Sequence, residues 1–138
     1  MLEIGVGGGR VARQVAQRCE ELHCVDISKE MIKKAKSNLS DFPQITYHLS
    51  TVSPDFPAEV KLAAPFDFIY SFDVFVHVDL HTFYQTLLFL HPLLKPDGST
   101  HLFFSLANLC SDLGFDRFKK QKTHKVAGFC CIFTLCLQ

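Results

Sequence analysis

Glu3-Ile4-Gly5-Val6-Gly7-Gly8-Gly9-Arg10 opens the chain with a carboxylate, then glycines at every second position, then a run of helix-forming residues. Glycine lets a backbone turn sharply and approach a ligand with no Cβ in the way. A helix beginning near Gly9 aims its free N–H groups at the same place. The octet therefore reads as a cofactor cradle at a strand-to-helix junction, and the rest of the chain decides which cofactor it suits.

Upstream, residues 2–4 have the character of a buried strand end. A strand usually runs to about five residues, so part of the first strand is expected to be missing. Downstream, Val11, Ala12, Val15, Ala16 and Cys19 recur at helical spacing, with Arg10, Arg13, Gln14, Gln17 and Arg18 on the other face. Residues 22–27 form a short β-rich run. Ser28 then offers an N-cap to a second helix with the inner stripe Met31, Ile32, Ala35 and Leu39. Asp41-Phe42-Pro43 ends that helix, and residues 45–49 predict a third strand.

A connection rich in proline (Pro54, Pro57, Pro65) leads to residues 66–72, whose nearly continuous aromatic and β-branched character fits a central strand covered on both faces. Leu80, Phe83, Tyr84, Leu87, Leu88 and Leu94 suggest another helix, and the turn Lys95-Pro96-Asp97-Gly98 precedes a fifth strand over 100–104. Residues 111–121 fit a helix, and the apolar tail 126–137 resembles one more strand. Residues 1–110 are thus read as the core and 111–138 as a terminal helix and tail.

Strands alternating with helices imply right-handed crossovers, and hence a doubly wound α/β fold, Rossmann-like, with a mostly parallel sheet and helices on both faces. Ligands of such sheets bind beyond the carboxyl ends of the strands. The glycine loop, Asp26 and Asp73 all fall at predicted strand ends, so one crevice can gather them.

Composition sets bounds. Hydrophobic residues make up 48% of the 138 and charged residues 20%, which suits a globular domain, and fourteen phenylalanines suggest a sheet-centred core. Fourteen Lys and Arg balance fourteen Asp and Glu, leaving no basic surplus to hold a nucleic-acid backbone. The six cysteines, at 19, 24, 110, 130, 131 and 136, form no CxxC pair and read as reduced core thiols. Glu3 and Arg10 interrupt the short apolar start, no apolar run approaches the ~18 residues of a membrane span, and a cytoplasmic protein is expected. His48, His91, His101 and His124 lack a ligand spacing, so no metal is expected.

A dinucleotide fingerprint G-x-G-x-x-G counted from Gly5 requires glycine at 10, where Arg10 stands. That opposes a nicotinamide-dependent oxidoreductase. The pattern E-x-G-x-G-x-G with Asp26 at the next strand end instead resembles motif I and the acidic residue of class I S-adenosylmethionine-dependent methyltransferases. Val25-Asp26-Ile27-Ser28-Lys29-Glu30-Met31 is similar to that family's second-strand segment. Phe66-Asp67-Phe68-Ile69-Tyr70-Ser71-Phe72-Asp73-Val74-Phe75 is similar to its fourth, and Leu94-Lys95-Pro96-Asp97-Gly98 to the turn before its fifth.

The resemblance covers about residues 2–108. It implies S-adenosylmethionine as cofactor, with Glu3 orienting the amino or carboxylate end and Gly5, Gly7 and Gly9 lining the methionine and ribose portion. Asp26 would accept the ribose hydroxyls, Ile27 would pack on the adenine, and Asp73 would face the methionine end or the acceptor. The family often has an acidic residue after its third strand, where this chain reads Ser50-Thr51-Val52, so backbone groups of Thr51 or Val52 are assigned the adenine edge. The catalytic residue is left unassigned, with Asp73 and His77 as candidates for handling a proton. Phe75, able to offer a π face to a sulfonium, reads as core.

The family sheet has seven strands ending in an antiparallel hairpin, which this chain is expected to lack. A non-catalytic or truncated methyltransferase-like fragment is therefore the alternative function. The partner implied is a methyl acceptor of unspecified class (a small molecule, a protein or an RNA base), with no membrane and no strong nucleic-acid signal; the oligomeric state is open.

Overall fold

The structure, a computed structural model, describes residues 1–51, 56–106 and 131–135. Its strands are β1 (Leu2–Ile4), β2 (Leu22–Asp26), β3 (Ile45–Leu49), β4 (Phe68–Ser71), β5 (His101–Leu106) and β6 (Cys131–Leu135). They form one sheet in the order β3-β2-β1-β4-β5-β6. The first five are parallel, and β6 runs antiparallel to β5. The helices are α1 (Arg10–Ala16), α2 (Lys29–Asn38), α3 (Ala58–Leu62) and α4 (Leu80–Leu90), with short 3-10 turns at Phe75–His77 and His91–Leu93. The doubly wound expectation holds, and the chain reverses strand order at β1 and β4, where such sheets open a crevice.

Register sorts the core into two layers. Glu3 lies opposite Cys24 on one side and Tyr70 on the other, and Cys24 opposite Tyr47. Side chains alternate along each strand, so these four share a face. That face packs against α1 and α2 through Ala12, Ala16, Ile32, Ala35 and Leu39. On the opposite face Leu2, Ile4, Ile69, Leu102 and Phe104 meet Val60 of α3 and Phe83 and Leu90 of α4. Phe75, Phe83 and Phe104 contact one another edge-on with centroids 5.2 to 5.5 Å apart, so Phe75 is core, as read.

Several local expectations need correction. Ser28 does cap α2, its hydroxyl accepting from the Met31 amide at 3.3 Å, but the Met31 side chain is 38% exposed and the buried stripe is Ile32, Ala35 and Leu39. Helix α1 stops at Ala16, before Cys19. Helix α4 carries two apolar stripes: Phe83, Thr86 and Leu90 are buried, while Leu80, Tyr84 and Leu88 face outward. The aromatic cluster decides between them, and Thr86 is tolerated inside because its hydroxyl donates to the Thr82 carbonyl at 2.8 Å. Strand β4 is shorter than 66–72, with Phe66 held by a single bridge to Leu94 and Phe72 turned outward. The proline-rich connection contains α3. The proposed helix at 111–121 lies outside the described residues; of the tail, 131–135 is the strand β6.

Candidate functional site

The glycine loop is clamped before it turns: the Gly5 and Val6 amides both donate to the Val25 carbonyl, at 2.7 and 3.2 Å. Gly5, Gly7 and Gly9 all have left-handed backbones, with φ of 80°, 52° and 84°. Their surroundings differ. A Cβ on Gly5 would sit 2.2 Å from Val74 Cγ2, and one on Gly9 would sit 2.6 Å from Leu39 Cδ1, whereas a Cβ on Gly7 would meet nothing within 4 Å. Gly5 and Gly9 are therefore required by the protein's own packing, while Gly7 borders open space.

This separation predicts two phenotypes. Gly5→Ala combines a left-handed alanine with overpacking against a stiff β-branched side chain, and should cost about 3 kcal/mol of stability. Gly7→Ala carries only the backbone strain, about 1 kcal/mol, but puts a methyl group into the cavity. Chemical denaturation of the two variants checks the ordering; equal losses would contradict it.

Asp26 ends β2 and fastens the loop. Its Oδ2 accepts from the Gly7 amide at 2.8 Å and its Oδ1 from the Ser28 amide at 2.9 Å. Each carboxylate oxygen keeps a further lone pair. Since Ser28 is the side-chain cap of α2, Asp26 is free of that duty.

Glu3 is 2% exposed, in the middle of β1. The Cys24 thiol donates to its Oε2 at 3.6 Å, and the buried Tyr70 hydroxyl points toward it without closing a full hydrogen bond. Burial pushes the Glu3 carboxyl up to about 7, Tyr70 and Cys24 oppose that rise, and the charge of Asp26 adds to it. Burial and Glu3 in turn raise the Cys24 thiol and the Tyr70 phenol. Cys24 is thus a packed, unreactive thiol.

These groups border one cavity of about 460 Å³ beyond the carboxyl ends of the strands. The structure brings Glu3, Gly5, Gly7, Asp26, Ile27, Thr51 and Asp73 to its wall. Ile27 is 68% exposed, an apolar side chain held out of the core on the cavity's rim. Asp73 has φ of 63°, an unusual backbone for a non-glycine residue, and its amide donates to Ser105 Oγ. Gly9 is off the wall, packed on Leu39. His77 is exposed in the 3-10 turn and also off the wall. Val52 lies outside the described residues.

Among the wall residues that the sequence reading gave no site role are Arg10 and Phe72. Arg10 entered as a polar-face residue of the first helix and as the residue that spoils a dinucleotide fingerprint, and Phe72 as part of a strand. The Arg10 guanidinium sits 5.4 Å over the Phe72 ring at the cavity. His48 is a core residue whose Nε2 lies 2.9 Å from His23 Nδ1. Among the described residues no three metal-ligating side chains gather, and no helix is long and apolar enough to cross a membrane.

This chain belongs to the methyltransferase domain family, whose model matches residues 1–98. No curated protein matches it significantly. Among solved structures it is similar to the N-methyltransferase NodS of Bradyrhizobium japonicum WM9 in complex with S-adenosyl-L-homocysteine. That likeness has 22% identity and a TM-score of 0.68, covering 86% of this chain and 56% of that one. The methyltransferase CcbJ of Streptomyces caelestis gives 22% identity and 0.64, over 78% of this chain and 43% of that one. A TehB-like S-adenosylmethionine-dependent methyltransferase of Corynebacterium glutamicum gives 20% and 0.62, over 86% and 60%. These likenesses establish a Rossmann-like class I methyltransferase fold, and the chain spans about half the length of the structures it matches.

Proposed function

We propose that this domain binds S-adenosylmethionine and serves methyl transfer to an acceptor. The observation that carries the reading is Gly7: a left-handed glycine with open space where a Cβ would be, its amide tied to Asp26, on the wall of a cavity that also holds Glu3. Asp26 offers free lone pairs to a ribose diol, and charge-assisted bonds to hydroxyl donors are among the stronger ones available. Ile27 gives a flat apolar surface for adenine beside Thr51. Glu3 offers a carboxylate to an amine. The acidic adenine-edge residue common in the family is absent, which leaves backbone groups near Thr51 for that contact.

When bound, the cofactor supplies a methyl group on a sulfonium already activated for in-line attack. The protein's task is then to hold the acceptor in line and exclude water. Asp73, exposed on the wall and fixed by Ser105, is the side chain available to orient an acceptor or take its proton. His77, off the wall, is not assigned a role. Calorimetric titration with S-adenosylmethionine, S-adenosylhomocysteine and NADH tests the reading: the two sulfur nucleotides should bind and NADH should not. Binding of neither sulfur nucleotide overturns it. Binding without turnover of S-adenosylmethionine toward any acceptor is the result the non-catalytic alternative expects.

A further inference from the structure

We infer that Arg10 is the carboxylate-recognising residue of this cavity, pairing with the amino-acid end of the ligand from a seat on the Phe72 ring. The inference rests on the S-adenosylmethionine reading above and adds a subsite to it. Among the described residues bordering the cavity, the ionisable side chains are Glu3, Asp26, Asp73 and Arg10. Three are carboxylates. A ligand whose amino-acid end bears both an ammonium and a carboxylate finds a charged partner for the ammonium in any of them, but among the described wall residues Arg10 is the one cationic side chain for its carboxylate, beside the neutral backbone N–H and hydroxyl donors.

The state of Arg10 fits that task. Arg13, one turn along α1, is already engaged by the Asp41 carboxylate at 3.0 Å and by the Asn38 carbonyl. Arg10 has no carboxylate or carbonyl partner among the described residues, and its guanidinium rests instead over Phe72. Stacking on a ring leaves the edge N–H donors of a guanidinium free, and those are the donors that meet a carboxylate two at a time. The seat also has a defined place. Phe72 follows directly on β4, on the far side of β1 from Asp26 and β2, and Glu3 lies on β1 between them. Asp26, Glu3 and Arg10 thus succeed one another across the sheet, in the order in which a ribose, an amine and a carboxylate would need partners.

The test compares S-adenosylhomocysteine with its decarboxylated analogue, which keeps the adenosine, thioether and amine. Titration calorimetry on the full chain should give wild-type affinity for S-adenosylhomocysteine about tenfold to a hundredfold above that for the analogue. Arg10→Ala should erase that preference by weakening S-adenosylhomocysteine alone, and Arg10→Lys should restore part of it. Arg10 is exposed, so folding is not at stake, and the ratio of two affinities on one variant is insensitive to a general loss of structure. Retention of the full preference in Arg10→Ala overturns the inference, and would be the result if Arg10 served the acceptor instead. Equal weakening of both ligands overturns it as well. If wild type binds S-adenosylhomocysteine but does not prefer it, Arg10 is misassigned and the cofactor reading stands; if it binds neither compound, the cofactor reading itself fails.

Discussion

Asp26→Ala is expected to lower affinity for S-adenosylhomocysteine by about two to three orders of magnitude, from the loss of charge-assisted bonds to two hydroxyls. The effect has a second source in the protein itself. Asp26 anchors the Gly7 amide on one oxygen and the Ser28 amide on the other, so the alanine variant also releases the loop whose open glycine borders the cavity. Asp26→Asn separates the two contributions. An asparagine keeps one acceptor oxygen and so can tether one amide, but its Nδ2 only donates and cannot accept at the other position, and it carries no charge for the hydroxyls; its affinity should fall between wild type and alanine. Circular dichroism and thermal unfolding check that the fold persists, since the side chain is half-buried and the sheet does not depend on it. Wild-type affinity in a folded Asp26→Ala variant would show that the cavity is not the cofactor site.

How much of this was legible beforehand depends on whether the signal was local. The strand-loop-helix at Glu3 to Arg10, the Ser28 cap and the Pro96-Gly98 turn rest on backbone rules that act within a few residues, and each stands where the sequence indicates. The distinct duties of three glycines were not legible, because they depend on Val74 and Leu39, which the fold brings in from 69 and 30 residues away. Helix α4 misleads for a related reason: Leu80, Tyr84 and Leu88 are as good a helical stripe as Phe83, Thr86 and Leu90, and the choice is made by Phe75 and Phe104. Gly9 shares the motif's spacing with Gly7 yet faces α2 and not the cavity, since alternate residues of a tight turn do not keep one direction. Arg10 escaped because its neighbour, Phe72, is 62 residues away in sequence and is brought to it only by the fold, just past the end of β4.

The buried carboxyl of Glu3 yields an expectation in which stability and binding move in opposite directions. Its folded-state value is raised from 4.5 to about 7, so between these values the folded chain holds a proton that the unfolded chain has lost. Stability from this group is therefore fully present below about pH 4.5 and is lost as pH rises to and through 7, a cost of about 3 kcal/mol once both states are ionised. Glu3→Gln, neutral at every pH, should remove that cost and make the ligand-free protein more stable at pH 8, by up to about that amount. The same change should weaken S-adenosylhomocysteine, because an ionised carboxylate is what an ammonium needs. For wild type, affinity should climb as pH rises to about 7 and then level, by at most about tenfold per unit for a single proton, while Glu3→Gln should lose that slope. Titrations at pH 6 in buffers of different ionisation enthalpy should register release of a proton on binding to wild type and not to the variant. A flat wild-type profile between pH 5.5 and 8, or a Glu3→Gln variant that melts earlier and binds as before, would contradict the assignment. A carboxylate that costs the ligand-free fold stability at neutral pH, on the wall of a cavity where a cation would offset that cost, is the pattern that a ligand-binding role for Glu3 predicts.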